Sequence, residues 1–136
     1  MKIEAQRGFT TIELIMVMII IAVIAVTAIP KFTSMSVVSV GGAAEMIQAD
    51  IRYTQELAMA GYEAKTITFA SGSSSYSVDS ETQELPSGVT ISNNFTVTFN
   101  SLGEPIAGGG GSVSISGAGN SNTITVSDYT GKTTID

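Results

Sequence analysis

An uncharged run from Leu14 to Ile29 constrains this chain more than any other feature of its sequence. The apolar segment around this run extends from Phe9 to Ile29 and has 21 residues. A helix of that length spans about 30 Å, which is enough to cross the hydrocarbon core of a bilayer. Lys2 and Arg7 precede the apolar segment and Lys31 follows it, so charge bounds it on both sides. We therefore expect a transmembrane helix over residues 9–30, with the short polar segment that precedes it in the cytoplasm.

One acidic residue, Glu13, lies inside this predicted helix. A carboxylate in a membrane helix costs about 2.5–3.5 kcal/mol on insertion scales and usually needs a partner. If the chain were cut before Phe9, the new α-amine would lie four residues from Glu13, one helical turn away. The same amine could instead meet Glu13 of an adjacent copy. In either case, cleavage would supply the missing cation.

The residues RGFTTIEL, which begin at Arg7, closely resemble the N-terminal signature of type IV prepilins. The resemblance extends through the apolar run to Pro30. It implies that the first eight residues are a leader, which prepilin peptidase removes by cutting between Gly8 and Phe9. It also implies that Phe9 becomes N-methylated, and that Glu13 is the acidic residue required for assembly.

Two other interpretations of the N-terminus stay open. An uncleaved anchor helix would explain the apolar run, but not the Gly8-Phe9 junction or Glu13. A secretory signal peptide could be cut near Val26-Thr27-Ala28, but its apolar region is usually only about 7–15 residues long. Each interpretation predicts a different mature N-terminus.

The same long helix is predicted to continue over residues 35–60 as an amphipathic half, after a bend near Pro30. Apolar and small residues recur there at steps of three and four, which is typical of an amphipathic helix. They are Val40, Ala43, Ala44, Ile47, Ile51, Thr54 and Ala58. Polar residues lie opposite, namely Glu45, Gln48, Asp50, Arg52, Gln55 and Glu56. Gly41-Gly42 predicts local loosening, and Gly61 predicts the end of the helix.

Residues 64–136 contain short runs rich in β-branched and aromatic residues, separated by Gly, Ser, Asn and Pro clusters. This pattern predicts antiparallel strands joined by short turns. The predicted strands are Thr66–Phe69, Tyr76–Val78, Val89–Ile91, Phe95–Phe99, Val113–Ile115, Thr123–Val126 and Thr133–Ile135. The apolar stripe of the amphipathic half of the helix must cover their sheet. The predicted fold class is α+β, with one domain over residues 31–136.

The composition excludes several classes of function. The chain has no Cys and no His, so it has no thiolate nucleophile, no imidazole base and no usual zinc ligands. Residues 32–136 carry three basic and ten acidic residues, and this acidic balance disfavours binding to nucleic acid. We expect neither an enzyme nor a cofactor.

Two motifs in the head could suggest ligands. The Gly108–Gly111 run lacks the GK[ST] ending of a phosphate-binding loop, so a structural loop is expected. Asp79, Glu81 and Glu84 lack the spacing of an EF-hand, so a solvated acidic loop is expected rather than a calcium site or an acid/base pair.

A long helix followed by a small antiparallel sheet is similar to the pilin and pseudopilin family. Phe99-Asn-Ser-Leu-Gly103 and Tyr129-Thr-Gly131-Lys132 narrow the resemblance to minor pseudopilins of the GspH and FimT type. The two cysteines of many major pilins are missing.

The resemblance implies a structural subunit of a type IV pilus or a type II secretion pseudopilus. The subunit would be anchored in the bacterial inner membrane by a single pass, with its head in the periplasm or outside the cell. Its partners would be prepilin peptidase, the assembly platform, and other copies or sibling pilins. The alternative is a minor, tip-located module that binds a secretion substrate, a surface or DNA.

Overall fold

The computed structural model describes residues 9–28 and 35–136. The chain divides into two units after Ser34. The predicted leader, residues 1–8, and the predicted bend near Pro30 lie outside the described residues. The continuation of the helix through this bend therefore stays a prediction.

The first unit contains helix α1, Thr11–Ala28. Its side chains from Thr11 to Ile24 are exposed on every face of the helix. No helix within residues 9–28 and 35–136 combines the length and the apolar character that crossing a membrane requires. The predicted span of residues 9–30 extends past the described end of α1.

The second unit begins with helix α2, Met35–Gly61, which matches the predicted helix at 35–60. All seven residues of the predicted apolar stripe are buried. The helix is continuous through Gly41-Gly42, where loosening was predicted, and it ends at Gly61 as expected. A Cβ added at Gly41 or Gly42 would meet no atom within 4 Å, so the packing of this unit does not require either glycine.

Nine strands follow α2 within residues 62–136, and each of the seven predicted segments overlaps one of them. They are β1 (Lys65–Phe69), β2 (Ser75–Val78), β3 (Glu81–Glu84), β4 (Thr90–Ile91), β5 (Phe95–Phe99), β6 (Pro105–Ala107), β7 (Ser112–Gly117), β8 (Asn120–Val126) and β9 (Thr133–Ile135). They form two antiparallel sheets instead of the single sheet expected. Sheet 1 has the order β3-β2-β1-β5-β6, and sheet 2 has the order β4-β7-β8-β9.

The two strands that the sequence does not predict, β3 and β6, lie at opposite edges of sheet 1. The four residues of β3 (ETQE) include no apolar side chain, and none of them is fully buried. Strand β6 begins with Pro105, a residue tolerated at sheet edges because no ladder partner needs its missing N–H. Edge strands of this kind lack the apolar alternation on which strand prediction depends.

Helix α2 packs against strands of both sheets, so it covers a single hydrophobic core to which both sheets contribute. Alternate residues of the central strands point into that core, as the two-residue period of a strand requires. The largest fully buried aromatic side chains are Phe69 and Phe99. Described residues 40–136 leave no buried side-chain nitrogen or oxygen without a hydrogen-bond partner. The core is therefore both apolar and satisfied in its hydrogen bonding.

Candidate assembly site

Thr10 is the N-cap residue of α1. Its hydroxyl accepts a hydrogen bond from the backbone N–H of Glu13 at 3.4 Å, and its carbonyl accepts from the N–H groups of Glu13 and Leu14 at 3.1 and 3.2 Å. Thr10 and Glu13 also have the Thr-x-x-Glu spacing of a capping box. The start of the helix is thus encoded by residues next to the predicted cleavage point, a signal that the sequence analysis missed.

Glu13 lies in the first turn of α1, and its side chain is exposed. Backbone N–H groups at a helix start carry partial positive charge, so a carboxylate there is favoured by about 0.3–1 kcal/mol. Among the described residues, no side chain donates to this carboxylate. The helix start offsets part of the cost of Glu13, and the acid remains open to a cation from elsewhere.

Phe9 precedes the cap and exposes 82% of its surface. Gly8, the predicted residue on the other side of the cut, lies outside the described residues. Cleavage at this junction and methylation of Phe9 therefore stay predictions. Beyond Glu13, as far as Ile24, α1 presents large apolar side chains all round, each between 47% and 65% exposed. Such a surface needs lipid or other apolar helices to cover it.

Asp79, Glu81 and Glu84 are exposed, as predicted, but they do not all lie in a loop. Asp79 occupies the turn between β2 and β3, whereas Glu81 and Glu84 belong to β3 itself. Lys65 bridges two carboxylates, with its Nζ 2.6 Å from Glu63 Oε1 and 3.0 Å from Asp79 Oδ2. The hydrogen bond to Glu63, and to a smaller extent the one to Asp79, raises the pKa of Lys65 above its usual value. The prediction of a loop was wrong for Glu81 and Glu84, because both are part of an edge strand.

Three further arrangements tie α2 to the sheets. Tyr76 in β2 donates a hydrogen bond to the carboxylate of Asp50. Thr133 in β9 accepts bonds from Gln48 Nε2 at its carbonyl and from Arg52 Nε at its hydroxyl, both at 3.1 Å. Several polar residues of the helix therefore serve to dock it, although the sequence places them on a solvent face.

Gln55 holds two turns together. Its Nε2 donates to the carbonyl of Gly103 at 2.6 Å and to that of Thr130 at 3.0 Å. Asn100 shapes the first of these turns, because its Oδ1 accepts from the N–H groups of Leu102 and Glu104, both at 2.9 Å. The two segments that suggested a minor pseudopilin in the sequence therefore meet at one side chain of α2.

The Gly108–Gly111 run connects β6 to β7 and packs tightly. A Cβ at Gly108 would lie 2.1 Å from the carbonyl oxygen of Thr96, and one at Gly111 would lie 2.6 Å from the ring of Phe95. Close approach of the backbone explains these glycines. Within residues 9–28 and 35–136, no group of three or more acidic side chains is arranged to hold a metal ion.

Comparison with solved structures shows a protein of similar architecture. The crystal structure of the type IV minor pilin FimU from Pseudomonas aeruginosa (strain PAO1) matches it with a TM-score of 0.57 at 15% sequence identity. The match covers 71% of this chain and 91% of the FimU chain in that crystal structure. The fold is pilin-like. No family model matches the sequence, and no curated protein matches it either.

In this pilin-like fold, helix α2 and both sheets confirm the predicted α+β class. At 15% identity the likeness concerns the backbone, so the side-chain arrangements above are properties of this chain. Of the three predicted site residues, Phe9 and Glu13 are described and lie at the exposed start of α1.

Proposed function

We propose that this protein is a structural subunit of a type IV pilus or a type II secretion pseudopilus. The observation that carries the proposal is the pilin-like fold, in which one amphipathic helix closes two antiparallel sheets. The role requires a folded head and an assembly helix and no bond-making chemistry. The absence of His and Cys from the chain is compatible with such a role.

In the proposed pathway, prepilin peptidase cuts between Gly8 and Phe9, and residues 9–30 hold the subunit in the inner membrane with the head on the far side. An assembly platform then transfers the subunit into the filament. The apolar side chains of α1 exchange lipid for neighbouring helices, which pack through dispersion contacts. In both environments the apolar side chains of α1, which are exposed all round in the single chain, would be covered.

Glu13 has a specific part in this proposal. Its carboxylate is exposed in the first turn of α1. The α-amine that cleavage would create at Phe9 could pair with it on the next subunit. An ion pair shielded from water is strongly position-dependent, so this pairing would set the axial register of the filament.

The test is to produce the full chain together with its peptidase and assembly proteins, and to compare filaments sheared from wild-type cells with those from a Glu13→Val strain. We expect Glu13→Val to enter the membrane normally and to lose most of its filaments. Glu45→Val is the matched control, because Glu45 is an exposed acid of α2, and we expect it to assemble normally. Normal yield and order from Glu13→Val would contradict the register role.

The alternative role, a minor subunit at the filament tip that binds a substrate, a surface or DNA, gains support from the match to a minor pilin. The ten acidic residues of the head argue against DNA as the ligand. Abundance separates the two roles, because a major subunit dominates the sheared material and a minor subunit is scarce in it.

A further inference from the structure

Strand β3 is the longest edge strand of the two sheets, with four residues against two or three in β4, β6 and β9. Within residues 35–136 it pairs with β2 alone, so its second edge is open. At the edge formed by β4, both the N–H and the C=O of Ile91 already bond to residues 72–73. At β9 the carbonyl of Thr133 accepts from Gln48, and β6 begins with Pro105, which has no N–H. The edge of β3 is therefore the one best able to accept a further strand.

The register of the β2–β3 hairpin shows which backbone groups of β3 point outward. Just past the strand, the N–H of Leu85 donates to the carbonyl of Ser74 at 2.8 Å. Residues of an antiparallel strand turn their backbone groups alternately toward one neighbour and away from it. Counting back from Leu85, Thr82 and Glu84 direct their N–H and C=O groups away from β2. Among the described residues, these four groups have no hydrogen-bond partner.

The two acids of β3 lie on opposite faces of sheet 1. Glu81 is opposite the buried Val78, so its side chain is on the face that α2 covers. Glu84 is three residues further on and opposite Ser75, so it is on the other face. Both acids are exposed. A strand added at this edge would bring cations to both acids only if its cations were also three residues apart.

A groove of about 290 Å³ adjoins β3 at Glu81, on the face that α2 covers. One of its walls is Tyr53 of α2, which exposes 53% of its surface. The groove also contains Lys65, but that ammonium group is already engaged by Glu63 and Asp79. With Glu81 added, three carboxylates surround one cation, and the groove is net negative. An aromatic ring beside unneutralised acid suits a long cationic side chain, whose stem packs on the ring.

We propose that the outer edge of β3 binds an extended, basic segment of another protein by strand addition. The outward groups of Thr82 and Glu84 require an extended backbone, because only a strand satisfies alternate groups along an edge. Charge selects the partner, which needs one cation beside Glu84 and one beside Glu81, over the ring of Tyr53. The same acids disfavour a second copy of β3, which would bring like charges together. The inference goes beyond the proposed function, since it concerns the head alone.

Synthetic peptides test the contact on the full chain in nonionic detergent. Acetyl-Thr-Arg-Val-Thr-Arg-Thr-amide has its arginines three residues apart. Acetyl-Thr-Arg-Val-Arg-Thr-Thr-amide has the same composition with its arginines two apart, so both fall on one face of a strand. Fluorescence anisotropy of labelled peptides measures the two affinities. We expect the first peptide to bind at least about fivefold more tightly than the second.

Hydrogen exchange separates strand addition from simple attraction between charges. When the first peptide binds, the amides of Thr82 and Glu84 should exchange more slowly, because a new strand accepts their protons. Ile106 lies in β6 at the opposite edge of sheet 1 and provides the control. Its exchange should stay unchanged. Nuclear magnetic resonance resolves the three amides separately.

Thr82→Pro removes one outward donor that the β2–β3 ladder does not use, so the hairpin should form normally. We expect it to weaken binding of the first peptide about tenfold. Thr82→Val keeps the N–H and is the matched control, which should bind as the wild type does. A circular dichroism spectrum and an unfolding curve like those of the wild type establish that Thr82→Pro is folded.

Charge reversal gives a gain of binding that misfolding cannot produce. The double variant Glu81→Lys, Glu84→Lys should lose the first peptide and bind its analogue in which glutamates replace both arginines. The double variant Glu45→Lys, Asp136→Lys changes the net charge by the same amount at exposed positions outside β3. It should keep the preference of the wild type.

Three results would overturn the inference. They are no binding of the first peptide up to about 1 mM, equal affinity for the two arginine spacings, and bound peptide with unprotected amides at Thr82 and Glu84. The last of these would show attraction by charge without strand addition. All are measured on single chains in detergent, so they are independent of whether the protein forms filaments.

Discussion

The phenol of Tyr76 donates a hydrogen bond to the carboxylate of Asp50, which links strand β2 to helix α2. Tyr76→Phe keeps the ring and removes the donor, leaving a half-buried carboxylate without its partner. We expect a loss of about 1–3 kcal/mol in the free energy of unfolding. Urea denaturation of the detergent-solubilised chain, followed by circular dichroism, measures it. Tyr53→Phe is the control, because that side chain is half-exposed, and we expect a change within about 0.5 kcal/mol.

The same residue predicts a dependence on alkaline pH. Burial, and then the hydrogen bond to Asp50, raise the pKa of Tyr76 well above its usual value near 10. Above about pH 10, the unfolded chain therefore releases this proton before the folded one, and stability falls as pH rises. The gap in stability between wild type and Tyr76→Phe should narrow between pH 9 and 11. A gap that stays constant over this range would contradict the shift.

Gln55→Ala should loosen two turns at once. It removes both bonds from Nε2, to Gly103 and to Thr130, and we expect a cost of about 1–3 kcal/mol. Hydrogen exchange should speed up at residues 101–104 and 128–132. It should stay unchanged in strands β1, β2 and β3 of sheet 1. Glu56→Ala, its exposed neighbour in the helix, should alter neither segment. Unchanged exchange in the turns of Gln55→Ala would show that they hold their shape without it.

Gly108→Ala and Gly72→Ala separate backbone strain from steric clash. The two glycines have similar positive φ angles, +77° and +80°. A Cβ at Gly72 meets no atom within 4 Å, whereas one at Gly108 would lie 2.1 Å from Thr96 O. We expect both variants to be destabilised, with Gly108→Ala losing at least about 1 kcal/mol more than Gly72→Ala. Equal losses of stability in thermal unfolding would show that the connection between β6 and β7 shifts to accommodate the added methyl group.

Helix α2 and the central strands could be predicted because their periodicity is strong. Every third or fourth residue of α2 from Val40 to Ala58 is buried, and pairs such as Val113 and Ile115 follow the two-residue period of a strand. The division into two sheets could not be predicted, since it depends on pairing between distant segments. Strand β4, for example, pairs with β7 through Ile91 and Ile115. A single sequence shows which residues are apolar but not which strands pair.

The candidate site was predictable where its signal is local. Thr10 and Glu13 have capping-box spacing, and Glu13 stands out as a charge in an apolar run. Gln55 could not be found in this way, because glutamine on the polar side of an amphipathic helix gives no sign of a partner. Its two acceptors lie 48 and 75 residues further along the chain. Only the folded structure brings them together.

The intact mass of the protein, extracted from membranes of cells with an active prepilin peptidase, tests the central claim most directly. We predict a chain that begins at Phe9 and carries one N-terminal methyl group, with Met1 to Gly8 removed. A chain that still begins at Met1 would indicate an uncleaved anchor, and one that begins near Ile29 would indicate a secretory signal peptide. Either of these masses would contradict the account.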